Sequence, residues 1–598
     1  MDRPQMTAAV RKTKQTVLPV EKPEAGPTHY DMYPAFHLGS GQIYTGIDSL
    51  AAYIAGQKKV IIEGYVGVRW HQWKAALQKA LPADLRLQII DTNDWFLPED
   101  QINALLQPYL GTDDSIWGTR CDKVLIDFLD RDKIAGSRLD PSADLHIVMG
   151  PGASLLGWDA PLLYFDLPKN ELQYRMRAGS ITNLGAQYPG NGTQMYKRFY
   201  FVDWVVLNAH KKAMADRITI IVDVQRPDAV TWMYFKGTRQ ALETMSRNVF
   251  RARPWFEPGA WGGQWIKDHI DGVNEAEINY AWSFELITPE NGLLLESDGR
   301  LLEISFDFLM YTQAEAVLGE AHAARFGDQF PIRFDFLDTI EGGNLSIQCH
   351  PSPSYIREHF GETFTQDETY YIMDAEKDAG VYLGFQEDID ASAFRQTLEK
   401  SQSENTPVAI EAYVQRFAAH KHDFFLIPNG TVHSAAAGNL VLEISATPYI
   451  FTFKMYDWLR LDLNGDPRPI NIAHAFNNLN FERKGDRVQK ELIARPEVLQ
   501  SGPGWQQIHL PTHRAHFYDV HRYTFTDKVV IQTDGSCQVL MLVEGTSLLV
   551  HTQNGMTQRY HYAETFVVPA AAETYTLTNE GDRPATVVKA FLKTKGFA

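Results

Sequence analysis

Leu345-Ser346-Ile347-Gln348-Cys349-His350-Pro351 decides how the larger part of this chain reads. In an extended strand successive side chains point to opposite faces, so Ser346, Gln348 and His350 share one side while Ile347 and Cys349 turn into packing. One face is polar and convergent. Glu368 stands eighteen residues beyond His350, at the head of a second strand, Asp367-Glu368-Thr369-Tyr370-Tyr371-Ile372-Met373. A third stretch, Asp423-Phe424-Phe425-Leu426-Ile427-Pro428-Asn429-Gly430-Thr431-Val432-His433, reads as a strand, a Pro-Asn-Gly turn and a histidine. Gln348, His350, Glu368 and His433 together offer a divalent ion nitrogen and oxygen ligands with a position left open, which separates a catalytic zinc site from a closed structural one. Taken singly, each is also the kind of polar residue that ends an ordinary strand.

The same strings, with Val381-Tyr382-Leu383-Gly384-Phe385 and Leu440-Val441-Leu442-Glu443-Ile444 between and after them, resemble type I mannose-6-phosphate isomerases. Pro258-Gly259-Ala260-Trp261-Gly262-Gly263 upstream and Tyr456-Asp457-Trp458-Leu459-Arg460-Leu461 downstream extend the resemblance over roughly residues 254 to 598. It implies two cupin (jelly-roll β-barrel) domains with one Zn2+ per chain in the first, held by His350, Glu368 and His433 with Gln348 as a fourth or weaker ligand. It implies Glu443 as the carboxylate near C1 and C2 of the sugar, Lys454 as a positive charge, and Ser346, Gln366 and Arg460 at the substrate site. The implied reaction interconverts mannose 6-phosphate and fructose 6-phosphate through an enediol. Two positions depart from the family, which commonly has Lys where Gln366 stands and Arg where Lys454 stands. A lysine cannot repeat the bidentate fork of an arginine, so another sugar or sugar phosphate is an alternative substrate.

Upstream the pattern changes. Val60-Ile61-Ile62-Glu63-Gly64, Leu85-Arg86-Leu87-Gln88-Ile89-Ile90-Asp91, Leu145 to Gly150, Leu162 to Asp166 and Ile218 to Asp223 are apolar strands, the first two separated by a helical stretch from Trp70 to Leu77. Strands alternating with helices predict an α/β parallel sheet covered on both faces. The layout resembles uridine-kinase-like P-loop proteins, but Arg69, Trp70 and His71 stand where an intact loop carries its Lys and hydroxyl. A degenerate P-loop-kinase-like scaffold follows, with an anion or nucleotide site expected around Gly64, Gly67 and Arg69 and no active kinase.

The chain's 598 residues suggest three to five units. The expected division is a leader over 1–35 (disordered or strapping), the α/β unit over 36–252, the first barrel over 253–390 and 420–505, a helical insertion over 391–419, and a second barrel over 506–598. The formal charge of −18 and the lack of a basic stripe speak against nucleic acid. The longest apolar runs fall far short of the roughly 18 to 20 residues a membrane helix needs, so no membrane partner is expected. Three scattered cysteines without CxxC spacing fit a reducing cytoplasm. The competing reading to an isomerase is a non-catalytic sensor in which both halves bind sugar phosphate or nucleotide without turnover.

Overall fold

The computed structural model describes residues 9–24, 26, 29–111, 116–226, 228–447 and 450–594. In the first unit five strands lie parallel, in the order Leu87–Asp91, Leu145–Met149, Lys59–Gly64, Leu162–Asp166, Ile218–Asp223. Helices on both faces explain why Val60, Ile61 and Ile62 form an uninterrupted apolar run, each of them buried. Two antiparallel edge strands, Thr231–Tyr234 and Tyr44–Thr45, extend the sheet beyond the expectation.

The next unit is a sandwich of two antiparallel sheets. One runs Phe424–Ile427, Glu368–Ala375, Asn439–Ala446, Ile332–Asp338, Trp282–Leu286, Trp255–Glu257; the other runs Val414–Ala418, Gly380–Phe385, His433–Ala435, Ile347–Cys349, Phe453–Tyr456. Leu337, Tyr370, Ile372, Val381, Leu383, Phe425, Ile427 and Val441 fill the space between them. Alternation along Asn439–Ala446 sends Val441 into this core and Leu440, Leu442 and Ile444 outward into the main core, so Glu443 points inward with Val441. A second sandwich follows, with Leu540, Leu542, Leu548, Val550, Phe566 and Leu577 in its core.

Two expectations change. Ala391–Glu404 is the helix expected of the insertion, capped by Asp390, whose carboxylate accepts from the Ser392 and Ala393 amides. Pro407 to Ala419, expected as helix, instead holds a short 3-10 turn at Ile410–Ala412 and the strand Val414–Ala418. That strand pairs with Gly380–Phe385, Val381 opposite Phe417, because an open sheet edge satisfies its backbone better than an isolated helix would. The second sandwich begins before residue 506, since Glu497–Gly502 is a hairpin partner of Trp505–Leu510.

The leader is a strap in its described part. Arg11 reaches Glu171 at 2.8 Å, Leu18 is fully buried, and Arg226 donates to the Leu18 carbonyl at 2.9 Å. Ala35–His37, at the leader's end, pairs in parallel with Gly292–Ser297, so the sheet and not the boundary at 35 ends it. The units are further tied at Arg251, whose buried guanidinium contacts Glu285 at 3.2 Å and Glu564 at 2.8 Å and donates to the Asp31 carbonyl at 2.7 Å. Removing that cation strands two buried carboxylates. Arg251→Met is expected to cost about 3–5 kcal/mol, read as a lower urea midpoint for the first unfolding transition; an unchanged midpoint contradicts this role. Among the described residues no helix is long and apolar enough to cross a membrane.

Candidate metal centre and its cavity

His350, Glu368 and His433 come from three different strand ends and meet inside the first sandwich, their candidate ligand atoms all within 4.8 Å of one another. Each imidazole donates Nδ1–H to a backbone carbonyl, His350 to Phe451 at 3.0 Å and His433 to Thr431 at 2.9 Å. This turns both Nε2 atoms toward Glu368 and fixes the ring orientations, as outer hydrogen bonds do for metal-binding histidines. His350 Nε2 stands 3.1 Å from Glu368 Oε2, and His433 Nε2 stands 2.7 Å from Glu368 Oε1. All three side chains are buried, yet His350 Nε2 and Glu368 Oε1 form no hydrogen bond. Bare nitrogen and carboxylate lone pairs converging in a dry site are costly unless a cation joins them, so the donor set fits a divalent ion of the zinc type.

Gln348 lies opposite His433 in register, and its Nε2 is 3.2 Å from His433 Nε2 while its Oε1 accepts from Ser346 Oγ–H at 2.7 Å. A half-turn of the amide would present Oε1 to the cluster and let Nε2 donate to Ser346. Gln366 donates to Glu368 Oε2 at 3.4 Å.

These groups open onto a cavity of about 300 Å³ lined by Ser346, Gln348, Gln366, Glu368, Glu443 and Lys454 among the expected residues. Arg460 is not in that lining; Asp457 Oδ1 holds its guanidinium at 2.5 Å. Arg468, which the sequence reading missed, lines the cavity and stands 2.7 Å from the other Asp457 oxygen. Lys454 does not pair with Glu443. Burial, with Arg468 adding like charge, pushes its ammonium down to about 8.

The cation beside Glu443 is Arg333, also missed. It donates to Glu443 and, through Nε, to Asp335 at 2.9 Å, with Asp335 directly opposite Glu443 in the sheet. Burial pushes the Glu443 carboxyl well up, Arg333 opposing. Arg333-Phe334-Asp335 places two charges on the inward face of an apolar strand, which was the available signal, since charged residues are almost never fully buried without a reason. The cavity wall also takes Ile116 and Trp117 from the first unit. The Trp117 ring is buried edge-on to Phe453, centroids 4.9 Å apart.

The anion site expected at Gly64, Gly67 and Arg69 is not supported by the described residues. The Glu63 carboxylate, fully buried, accepts from the Gly64, Gly152 and Ser154 amides at 3.2, 2.8 and 3.0 Å, so the chain's own anion engages these three donors. Gly64 is small because a Cβ would meet the Phe165 carbonyl at 2.6 Å, and the Gly67 carbonyl accepts from Arg175 at 3.0 Å. Arg69 faces the like charge of Arg175, and burial with that charge lowers its pKa.

Comparison with known proteins divides the chain in the same way. Residues 46–247 match the family described as "Domain of unknown function (DUF8485)". YvyI of Bacillus subtilis (strain 168) is 25% identical over 340 residues, 56% of this chain and 96% of YvyI. Mannose-6-phosphate isomerase ManA of the same organism is 26% identical over 227 residues, 37% of this chain and 65% of ManA. Among solved structures, the mannose 6-phosphate isomerase from Bacillus subtilis aligns with 57% of this chain and 99% of its own, at 20% identity and a TM-score of 0.46.

Proposed function

We propose that this chain is a metal-dependent aldose–ketose isomerase of sugar phosphates, interconverting mannose 6-phosphate and fructose 6-phosphate. The observation that carries the proposal is the convergence of His350, Glu368 and His433 beside the inward carboxylate of Glu443, in a cavity that also presents Lys454 and Arg468. The similarity to ManA supports the choice of substrate class.

Moving a carbonyl between C1 and C2 requires a proton to leave one carbon and return to its neighbour through an enediol, with positive charge near the developing oxyanion. Glu443 is the base in this reading. Arg333 orients it and keeps the ionised form accessible despite burial, and Asp335 holds the guanidinium from its other side. Lys454 and Arg468 supply charge against an enediolate or a phosphate, Lys454 as a point charge. Ser346 and Gln366 orient sugar hydroxyls through the hydrogen bonds they already make to Gln348 and Glu368. A zinc ion held by His350, Glu368 and His433, with Gln348 as fourth ligand, would polarise sugar oxygens.

A coupled isomerase assay on a panel of sugar phosphates tests the proposal, run on the metal-loaded protein, after chelation, and after zinc is restored. Turnover of mannose 6-phosphate that chelation abolishes and zinc restores is expected. Metal-loaded protein inactive on the whole panel contradicts it.

A second substrate reading, a different sugar phosphate, is favoured by the Trp117 wall together with Gln366 and Lys454. Trp117→Ala is expected to leave metal content intact and lower kcat/KM for the preferred sugar phosphate about tenfold, in line with ~1.5 kcal/mol for an aromatic contact. Unchanged kcat/KM across the panel would detach the first unit from substrate selection.

A further inference from the structure

The second sandwich carries a polar row on its inner face that nothing in the proposed isomerase chemistry uses. His509, His521, Lys589 and Leu540 stand opposite one another across four adjacent strands, so their side chains share one face. Leu540 belongs to the core of that sandwich, which fixes the face as the inward one. None of the four lines the cavity of the candidate metal centre.

Lys589 is only 4% exposed, yet among the described residues it makes no hydrogen bond and no ion pair, and buried lysines are normally paired. Its contacts are with rings: Nζ stands 5.2 Å from the centroid of Tyr523 and 5.0 Å from that of Phe591. Burial pushes the ammonium down to about 8, opposed only by the charge of Asp534, an exposed acid that does not pair with it. His521 adds a neutral donor beside it. Gln507 Nε2–H donates to His521 Nδ1 at 2.9 Å, which leaves the ring proton on Nε2, and burial with the charge of Lys589 holds this imidazole down at about 3. The neighbouring charges are engaged within the chain. Asp519 accepts from His509 Nε2–H at 2.9 Å and from the Thr512 amide and hydroxyl at 3.3 and 3.2 Å, while Lys593 donates to the His513 carbonyl at 3.3 Å. One ammonium is left over.

We propose that the inner row of the second sandwich binds a small organic monocarboxylate, whose oxygens accept from Lys589 Nζ–H and His521 Nε2–H. A buried cation without an anion is costly, and a bound carboxylate offsets that cost with charge-assisted hydrogen bonds. One uncompensated cation suits a single negative charge. A phosphate dianion or a tricarboxylate brings more charge than Lys589 balances, and sets it near Asp519 and Asp534. Tyr523, Phe591 and Leu540 offer the hydrocarbon part of the ligand an apolar wall.

Calorimetry of the full chain with butyrate, beside its uncharged isostere butyramide, inorganic phosphate and citrate, tests the proposal. Butyrate is expected to bind more tightly than the other three. Lys589→Met keeps the length of the side chain and removes its charge, so it should weaken butyrate at least tenfold, and His521→Phe, which removes one donor, about tenfold. Butyrate should bind equally to His433→Ala and Lys454→Met proteins, which separates this site from the candidate metal centre and its cavity. No butyrate binding, equal binding of butyramide, tighter binding of phosphate or citrate, or butyrate binding that survives Lys589→Met overturns the proposal. Should Lys589→Met fail to fold, crystals of the unaltered chain soaked in butyrate decide the matter. Density between Lys589 and His521 is expected, and density only beside Lys454 or Arg468 contradicts the site.

Discussion

His433→Ala protein should purify without stoichiometric metal and without isomerase turnover. The His433 ring is fully buried, its Nδ1–H is fixed by the Thr431 carbonyl, and its Nε2 lies 2.7 Å from Glu368. No other imidazole stands in the cluster to replace it beside His350 among the described residues. Loss of outer hydrogen bonds alone typically weakens metal binding 10- to 100-fold, so loss of a direct nitrogen ligand should exceed about 100-fold. Metal content by plasma mass spectrometry and the coupled assay read the two effects separately. Stoichiometric metal retained by the variant would remove His433 from the ligand set.

The second large effect belongs to Glu443. Glu443→Gln keeps the shape of the side chain and an oxygen that still accepts from Arg333, so folding and metal content should hold. It removes the group that carries the proton. A positioned base is worth about 10²- to 10⁴-fold, so kcat should fall by roughly 10²-fold or more with KM little changed. Near-normal kcat in a folded, metal-loaded variant would assign proton transfer elsewhere. Arg333→Lys provides the complementary reading, since a lysine keeps the charge but lacks the planar fork by which Nε and Nη2 of Arg333 fix Asp335 and Glu443 separately. A partial fall in kcat, smaller than that of Glu443→Gln, is expected of a positioning residue.

Much of this architecture can be read from local runs of residues. The five parallel strands announce themselves because burial on both faces demands uninterrupted apolar runs such as Val60-Ile61-Ile62. His350, Glu368 and His433 were singled out because each sits in a short string that resembles the mannose-6-phosphate isomerases, the strand and turn signals alone being those of ordinary strand ends. Arg333 was not, since it reaches Glu443 across 110 residues through strand pairing that no local pattern encodes. Trp117 is harder still, being delivered to the cavity by a different unit of the chain. Glu63 was overlooked for the opposite reason. The strand-to-helix turn after Gly64 suggested an anion site, and the acid one residue earlier is tied to the Gly152 and Ser154 amides of another loop, which no local pattern announces. The stretch Val414-Gln415-Arg416-Phe417-Ala418 places Val414 and Phe417 among good helix formers, and there the free edge of Gly380–Phe385 overrode propensity.

Proton exchange during turnover tests the central claim most directly. Zinc-loaded full-length protein is incubated in D2O with mannose 6-phosphate, and in parallel with fructose 6-phosphate, and followed by NMR. The enediol reading with Glu443 as base predicts that either sugar yields both, with deuterium appearing at C1 of fructose 6-phosphate and C2 of mannose 6-phosphate. It also predicts that Glu443→Gln slows interconversion and exchange together. Metal-loaded protein that leaves both sugars unconverted and unlabelled would contradict the account.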